Sequence, residues 1–277
     1  MRMLFVLAAV VVLSAHPTWA DTDVTVAVDT AWDDMSRSDR SVNALTATPI
    51  DPGTFLFVVT HRARQSLTDH AGRDFLGLDA GGLKIGLGLR WGVINGLDAG
   101  VFRLNGTAEI FDTVEFDLRS RLLSQEAHGL DVALRPGITW FIQPDQGDAS
   151  GLFAQLLATR QLGHRATVGA GLLYHQDSSG DRKATMDDDE SVALLAHGEF
   201  RLTPKLAVAV EAAPNLGGYG ENKPSTSIAL KVFTYGHTFS LVVSNTQYIG
   251  ADGIVTGAWR EWDEPIIGFT ITRDIEP

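Results

Sequence analysis

The sequence predicts an all-β chain: a closed antiparallel up-and-down transmembrane β-barrel of about twelve strands, preceded by an N-terminal signal peptide. Three observations carry that expectation. Apolar and polar residues alternate with period two in segments that recur along the chain, as in strands with two unlike faces. Connections between those segments alternate between long and short, as in barrels with short turns at one end and longer loops at the other. Beyond the opening segment, no apolar run is long enough to form a membrane-spanning helix.

The opening "MRMLFVLAAVVVLSAHPTWA" places Arg2 before an apolar run from Leu4 to Leu13, with small residues Thr18 and Ala20 where a signal peptidase needs them. The run is too short to cross a bilayer. Residues 1–20 therefore read as a cleaved signal peptide, and the mature chain begins near Asp21. Residues 21–51 read as a periplasmic N-terminal segment without clear periodicity. A free tail, a piece tucked into the barrel and an extra strand around "DVTVAV" are all open for it. Residues 52–277 form the barrel domain.

The strands follow in order. Residues 54–64 open the barrel, and "GLKIGLGLRWGV" gives the clearest alternation, with Leu83, Ile85, Leu87, Leu89, Trp91 and Val93 on one face. Lys84, Gly86, Gly88, Arg90 and Gly92 fall on the other. A helix would scatter these residues around its circumference; a strand separates them. Residues 97–105 follow, then "TVEFDLRSRL", with Val114, Phe116 and Leu118 opposite Glu115, Asp117, Arg119 and Arg121. "GLDVALRPGITWF" sets Asp131 and Arg135 against Leu134, Ile138 and Trp140. Segments 151–162 and 165–176 precede "SVALLAHGEFRL", which opposes His197, Glu199 and Arg201 to Leu194, Phe200 and Leu202. Segments 205–213, 225–235, 237–247 and 264–275 complete the set. Among the connections, "NGTA" is the one that breaks the long–short rhythm.

Absence of cysteine excludes a disulfide scaffold and a thiolate metal site. A net charge of −12 argues against nucleic acid as a partner. A soluble β-sandwich shows the same alternation, but there the charged face meets water, whereas in a membrane barrel it lines the lumen. Glycines 86, 88, 92, 100, 169 and 171 on the polar faces suit a crowded lumen, and Trp91, Trp140, Tyr174 and Phe200 on the apolar faces suit an interfacial belt.

The segments "THRARQ", "DFLGLDAGGLKIGLGLRWGVINGLDAGVFR", "GHTFSLVVSNTQ" and "IIGFTITRDI" resemble an uncharacterised bacterial β-barrel family, domain of unknown function 5777. The likeness rests on His61–Arg62, Leu76–Asp79, the hairpin around Gly86–Gly100 and the closing strand, over most of 54–275. It implies an outer-membrane barrel with no established activity. One departure is the ending "TITRDIEP", which lacks a terminal aromatic; Phe269, Ile271 and Ile275 are its apolar substitutes.

His237 and Ser240 raise the question of a barrel hydrolase, since outer-membrane phospholipases carry catalytic His and Ser on one strand. Their spacing of three puts them on opposite faces, so the pair is not catalytic. Asp187, Asp188, Asp189 and Glu190 lack the spacing and central glycine of a calcium loop. No catalytic, cofactor or metal residues are therefore expected. The expected lumen-lining set is Lys84, Arg90, Glu115, Asp117, Arg119, Arg121, Asp131, Arg135, His197, Glu199, Arg201, Glu211 and Lys231. Either these form a paired network, or Arg119, Arg121 and Arg135 form a basic ladder for small anions. The functional expectation is a narrow pore or transport-associated barrel in the outer membrane, with both termini periplasmic and with lipid and small solutes as partners. A non-conducting structural barrel and a soluble periplasmic ligand-binding barrel are the alternatives.

Overall fold

The strand segments assemble into a single sheet in which each strand pairs antiparallel with its chain neighbours and the last pairs with the first. The computed structural model describes residues 38–68, 83–106, 112–142, 149–176, 190–218, 222–247, 249–258 and 260–276. All its elements belong to one unit, Ala31–Pro277. Residues 1–20 lie outside the described residues, as do Leu76–Asp79 and Asp187–Asp189 of the segments singled out above.

The strands are β1 (Phe55–Ala63), β2 (Leu83–Ile94), β3 (Leu97–Leu104), β4 (Asp112–Leu123), β5 (Asp131–Ile142), β6 (Ala149–Leu162) and β7 (Ala166–Gln176). Then come β8 (Glu190–Thr203), β9 (Leu206–Ala213), β10 (Asn215–Gly217), β11 (Ser225–Thr234), β12 (His237–Ser244) and β13 (Ile266–Ile275). Two short helices, α1 (Gln125–His128) and α2 (Ala251–Thr256), sit in connections. β10 is β9 continued: Ala212 pairs with Ala196 and Asn215 with Ala193, in one register, and Pro214 breaks the ladder between them. Proline has no N–H to give, but its carbonyl still accepts from Leu194 at 3.0 Å. The wall therefore has twelve strands, and pairing of Phe55 with Ile275 closes it.

Short connections at one end include Asn95–Gly96 and Tyr235–Gly236, whose glycines take φ of 80° and 75°, the left-handed geometry of two-residue hairpins. The opposite end carries the longest connections, those between β1 and β2, β7 and β8, and β12 and β13. β3 ends at Leu104 and β4 begins at Asp112, so the connection there is longer than "NGTA" but no longer than that between β4 and β5, and the long–short rhythm stays uneven at this point.

The sheet is inside-out relative to a soluble sandwich. Leu118, Leu152 and Leu241 are half exposed, and Trp91, Trp140 and Phe200 stand on the same outer surface. Arg62, Arg119 and Lys231, by contrast, are 0% exposed. Apolar side chains outward and charges inward is the pattern that lipid selects, because backbone groups are satisfied within the closed wall.

Candidate functional site

The inward face of β2 to β5 carries a continuous ribbon of ion pairs. Arg90 donates through Nη1 to Asp98 at 2.6 Å and through Nη2 to Asp117 at 2.8 Å. Arg135 reaches the same Asp117 at 2.8 Å and Glu115 at 3.5 Å. Arg119 closes on Asp98 and also donates to the Thr46 carbonyl at 2.8 Å. Register explains how Arg90 spans two strands: it sits opposite Gly100, which sits opposite Asp117. A Cβ at Gly100 would fall on the Arg90 guanidinium, so the missing side chain is the passage through which the pair forms.

This arrangement decides between the paired network and the basic ladder. Arg119 and Arg135 are neutralised by Asp98, Asp117 and Glu115, and Arg121 lies at the rim, bonded to Asn95 at 2.9 Å. A buried guanidinium without a counter-charge is costly, and the register supplies carboxylates to both buried ones. Among the described residues, Arg119, Arg121 and Arg135 do not form an unpaired basic ladder.

The remaining expected residues are distributed around the wall. Lys231 donates to Glu199 and to the carbonyls of Arg40 and Ser41, both at 2.9 Å. Arg201 lies 3.7 Å from Glu199 and over the Phe233 ring at 4.1 Å. Asp131 accepts from Thr48 at 2.8 Å and from the Gln125 N–H at 2.9 Å. Lys84 and His197 are buried, and neither ring nitrogen of His197 has a hydrogen-bond partner.

Twelve strands enclose more space than wall side chains fill, and two pieces of the same chain occupy it. The first is residues 38–50, so this part of the N-terminal segment is tucked into the barrel. Its core is a small hairpin, in which Ser41 N–H meets the Ala44 carbonyl at 2.9 Å and Thr46 N–H meets that of Asp39 at 2.8 Å. The tip is held by Glu211, whose Oε2 accepts the N–H groups of Val42, Asn43 and Ala44 at 3.3, 2.7 and 2.9 Å. The stem is held by Ala47 N–H to Thr159 and Ile50 N–H to Asp98, both at 2.9 Å. Burial opposes ionisation of Asp39, but the charge and hydrogen bonds of Arg40, with Arg119 and Arg90 beyond, hold its pKa at about 2.

The second piece enters from the other end, in the connection between β12 and β13. All six residues of α2 are buried. Ala251 N–H donates to the Glu115 carboxylate, and Asn215 and Asn222 donate to the carbonyls of Val255 and Thr256 at 2.7 and 2.6 Å. A Cβ on Gly250 would strike Glu115, so glycine sets how closely this segment approaches the wall. Ala44 of the hairpin shares an apolar cluster with Ala251, Ile254, Val255 and Leu173 of the wall. A cavity of about 40 Å³ lies among Asn43, Arg90, Glu115, Asp117, Arg135 and Ile254.

Arg62, Asp98, Asp39 and Asn43 are the residues that sequence reasoning missed. Asp98 is in phase with inward-facing Gly100, so the parity of β3 marks it. Arg62 was obscured because β1 buries Leu56 and Val58 on the same face as Thr60 and Arg62. On β12, Ser240 is buried while His237 lies on the outer face, stacked on Phe239 at 5.8 Å. The two therefore stand on opposite sides of the wall. Among the described residues, no group of His, Cys, Asp and Glu is arranged to hold a metal.

A closed wall with an apolar exterior, a charged interior and an internal plug defines a membrane-bound β-barrel. The chain belongs to the membrane-bound β-barrel domain family DUF5777, which matches residues 37–274. Among solved structures it is similar to an outer-membrane channel of Pseudomonas putida F1, at 13% identity and a TM-score of 0.51, covering 83% of this chain and 98% of that one. It is also similar to the KdgM porin in complex with disordered oligogalacturonate, at 8% identity and a TM-score of 0.48, covering 79% and 98%. A third likeness is to Escherichia coli outer membrane phospholipase A, at 12% identity and a TM-score of 0.45, covering 81% and 93%. At these identities the likeness concerns the fold. No curated protein matches the sequence.

Proposed function

We propose that this barrel is a gated passage for small polar solutes in the outer membrane, with its short turns and both termini on the periplasmic side. The observation that carries the reading is how the lumen is filled. Two insertions close it, each tethered at one end of the barrel and fastened by polar contacts to a charged wall. The hairpin turns back on itself, so it can withdraw toward the short-turn end without threading through the lumen. Behind it lies the paired wall of Arg90, Asp98, Asp117, Arg119 and Arg135, a hydrated surface once the plug leaves. The channel of Pseudomonas putida F1 supports the reading as a member of the same fold. The His237–Ser240 pair does not support hydrolysis, since the two are separated by the wall.

Planar-bilayer recording of the full chain tests this. The wild type is expected to rest closed with rare openings, and Glu211→Ala, which unfastens the hairpin tip, to stay open for most of the record. Silence from both proteins across the voltage range, with the barrel folded, would leave a structural barrel as the function.

A further inference from the structure

We infer that Asn43 occupies a recognition site for a small zwitterion of the α-amino acid class, built on five consecutive strands of the wall; the inference deepens the gated-passage reading and rests on it for its role in transport. Arg62 on β1 is fully buried, and among the described residues no carboxylate lies within ion-pair distance of it; Glu211 acts on it only across a longer gap. Its Nη1 donates to the carbonyls of His61 and Phe269 at 3.0 and 2.8 Å, and its Nη2 to Thr270 at 3.1 Å and to Asn43 Oδ1 at 2.8 Å. Its Nε is buried without a hydrogen-bond partner. Across the same space Glu211 on β9, without an ion pair among the described residues, accepts from the Asn43 carboxamide on Oε1. Ser227 on β11 accepts from that carboxamide at 3.2 Å and is braced by Ser244 on β12 at 2.8 Å.

The Asn43 carboxamide thus bridges a buried cation and a half-buried anion, with its oxygen toward Arg62 and its nitrogen toward Glu211. It fits the site incompletely. Nη2 and Nε of a guanidinium form one side of a fork that a carboxylate fills with two oxygens, and a single amide oxygen leaves Nε unmet. An α-amino acid carries a carboxylate and an ammonium on one and the same carbon. Its carboxylate would take Nη2 and Nε of Arg62, and its ammonium would take Glu211 Oε1 and Ser227 Oγ. Both charges of the site would then be compensated by full opposite charges, which the neutral amide does not provide. The hairpin tip therefore plugs the lumen by standing in for the solute, and solute and plug compete for the same two side chains.

Calorimetry on the detergent-purified full chain, with glycine as the probe, tests the site. Asn43→Ala vacates it while leaving the backbone N–H groups on Glu211 Oε2. Glycine is expected to bind this variant at least about tenfold more tightly than the wild type, a difference well resolved in a binding constant. Acetate and methylammonium, with one charge each, are expected to bind at least about tenfold more weakly than glycine. Arg62→Gln in the same background is expected to abolish glycine binding. Heat-modifiable gel mobility verifies that each variant is folded, and Asn43→Ser replaces Asn43→Ala if the latter is not. Glycine binding equal in variant and wild type, or acetate binding as well as glycine, overturns the proposal. Bilayer currents from Asn43→Ala separate the two ideas. A conducting variant that ignores glycine keeps the passage and removes the site, whereas a silent variant that binds glycine keeps the site and removes the passage.

Discussion

Glu211 holds Asn43 by both of its nitrogens: Oε2 accepts the backbone N–H at 2.7 Å, and Oε1 accepts the side-chain carboxamide. The two residues are 168 positions apart in the chain, so this grip fastens the N-terminal hairpin to the wall. Hydrogen bonds to a charged acceptor contribute about 1.5–3 kcal/mol each. Removing the carboxylate in Glu211→Ala also leaves the N–H groups of Val42, Asn43 and Ala44 without their acceptor. The chain has no native cysteine, so a single cysteine at buried Ala44 reports hairpin withdrawal by its reaction with a membrane-impermeant thiol reagent. Labelling in the Glu211→Ala background is expected to be at least about a hundredfold faster than in Ala44→Cys alone, the factor that two such bonds imply. Equal rates would show that the tip is held by something else.

Acid should loosen the hairpin, but only at low pH. Asp39 has its pKa depressed from 3.8 to about 2, so its proton binds less readily in the folded state. A depressed carboxylate contributes stability that is fully present above the ordinary value and is lost as pH falls through the folded value. Thiol labelling of Ala44→Cys is therefore expected to be flat from neutral pH down to about 4 and to rise between about 4 and 2, the window set by those two values. A reagent that reacts with thiols in acid, such as a dipyridyl disulfide, makes the measurement. Asp39→Asn should remove the Asp39 contribution to that rise and increase labelling at neutral pH.

Asp98 neutralises both Arg90 and Arg119 and accepts the N–H of Ile50. Asp98→Ala therefore strands the buried Arg119, leaves Arg90 on Asp117 alone and detaches the hairpin stem. Breaking a buried pair by removing one partner costs about 3–5 kcal/mol. The expected outcome is a drop of that order in urea unfolding of the refolded barrel. Asp98→Ala combined with Arg119→Met should recover part of the loss, because the stranded charge is gone.

Leu156 lies at the middle of β6, half exposed on the outer face. If that face meets the hydrocarbon midplane, Leu156→Arg costs about 2–4 kcal/mol in lipid vesicles. In a soluble barrel the same exposed position would tolerate arginine within about 0.5 kcal/mol. Equilibrium folding into vesicles compares the two chains directly.

Much of the wall was legible in advance because a strand's side chains alternate strictly. The segment expected at 97–105 is β3, Leu97–Leu104, and that expected at 205–213 is β9, Leu206–Ala213. Parity also placed His237 and Ser240 on opposite faces before any coordinates were known. The candidate site was legible only in part. Parity assigns Arg119 and Arg135 to the polar face, but whether they form a ladder or a paired network depends on which carboxylates the register brings opposite. That is a relation between strands, and the gap at Gly100 that lets Arg90 reach Asp117 belongs to three of them at once.

The sequence by itself determined a twelve-stranded wall, its two faces and the rhythm of its ends, because those follow from local periodicity and turn chemistry. Tertiary structure alone decided what fills the lumen. Residues 38–50 carry no repeating pattern, since the N–H groups of Val42, Asn43, Ala44, Ala47 and Ile50 are satisfied by Glu211, Thr159 and Asp98 across the barrel. No neighbour in sequence supplies those partners. A segment fastened to the wall by distant partners leaves no periodic trace, and its place became visible only when the sheet closed around it.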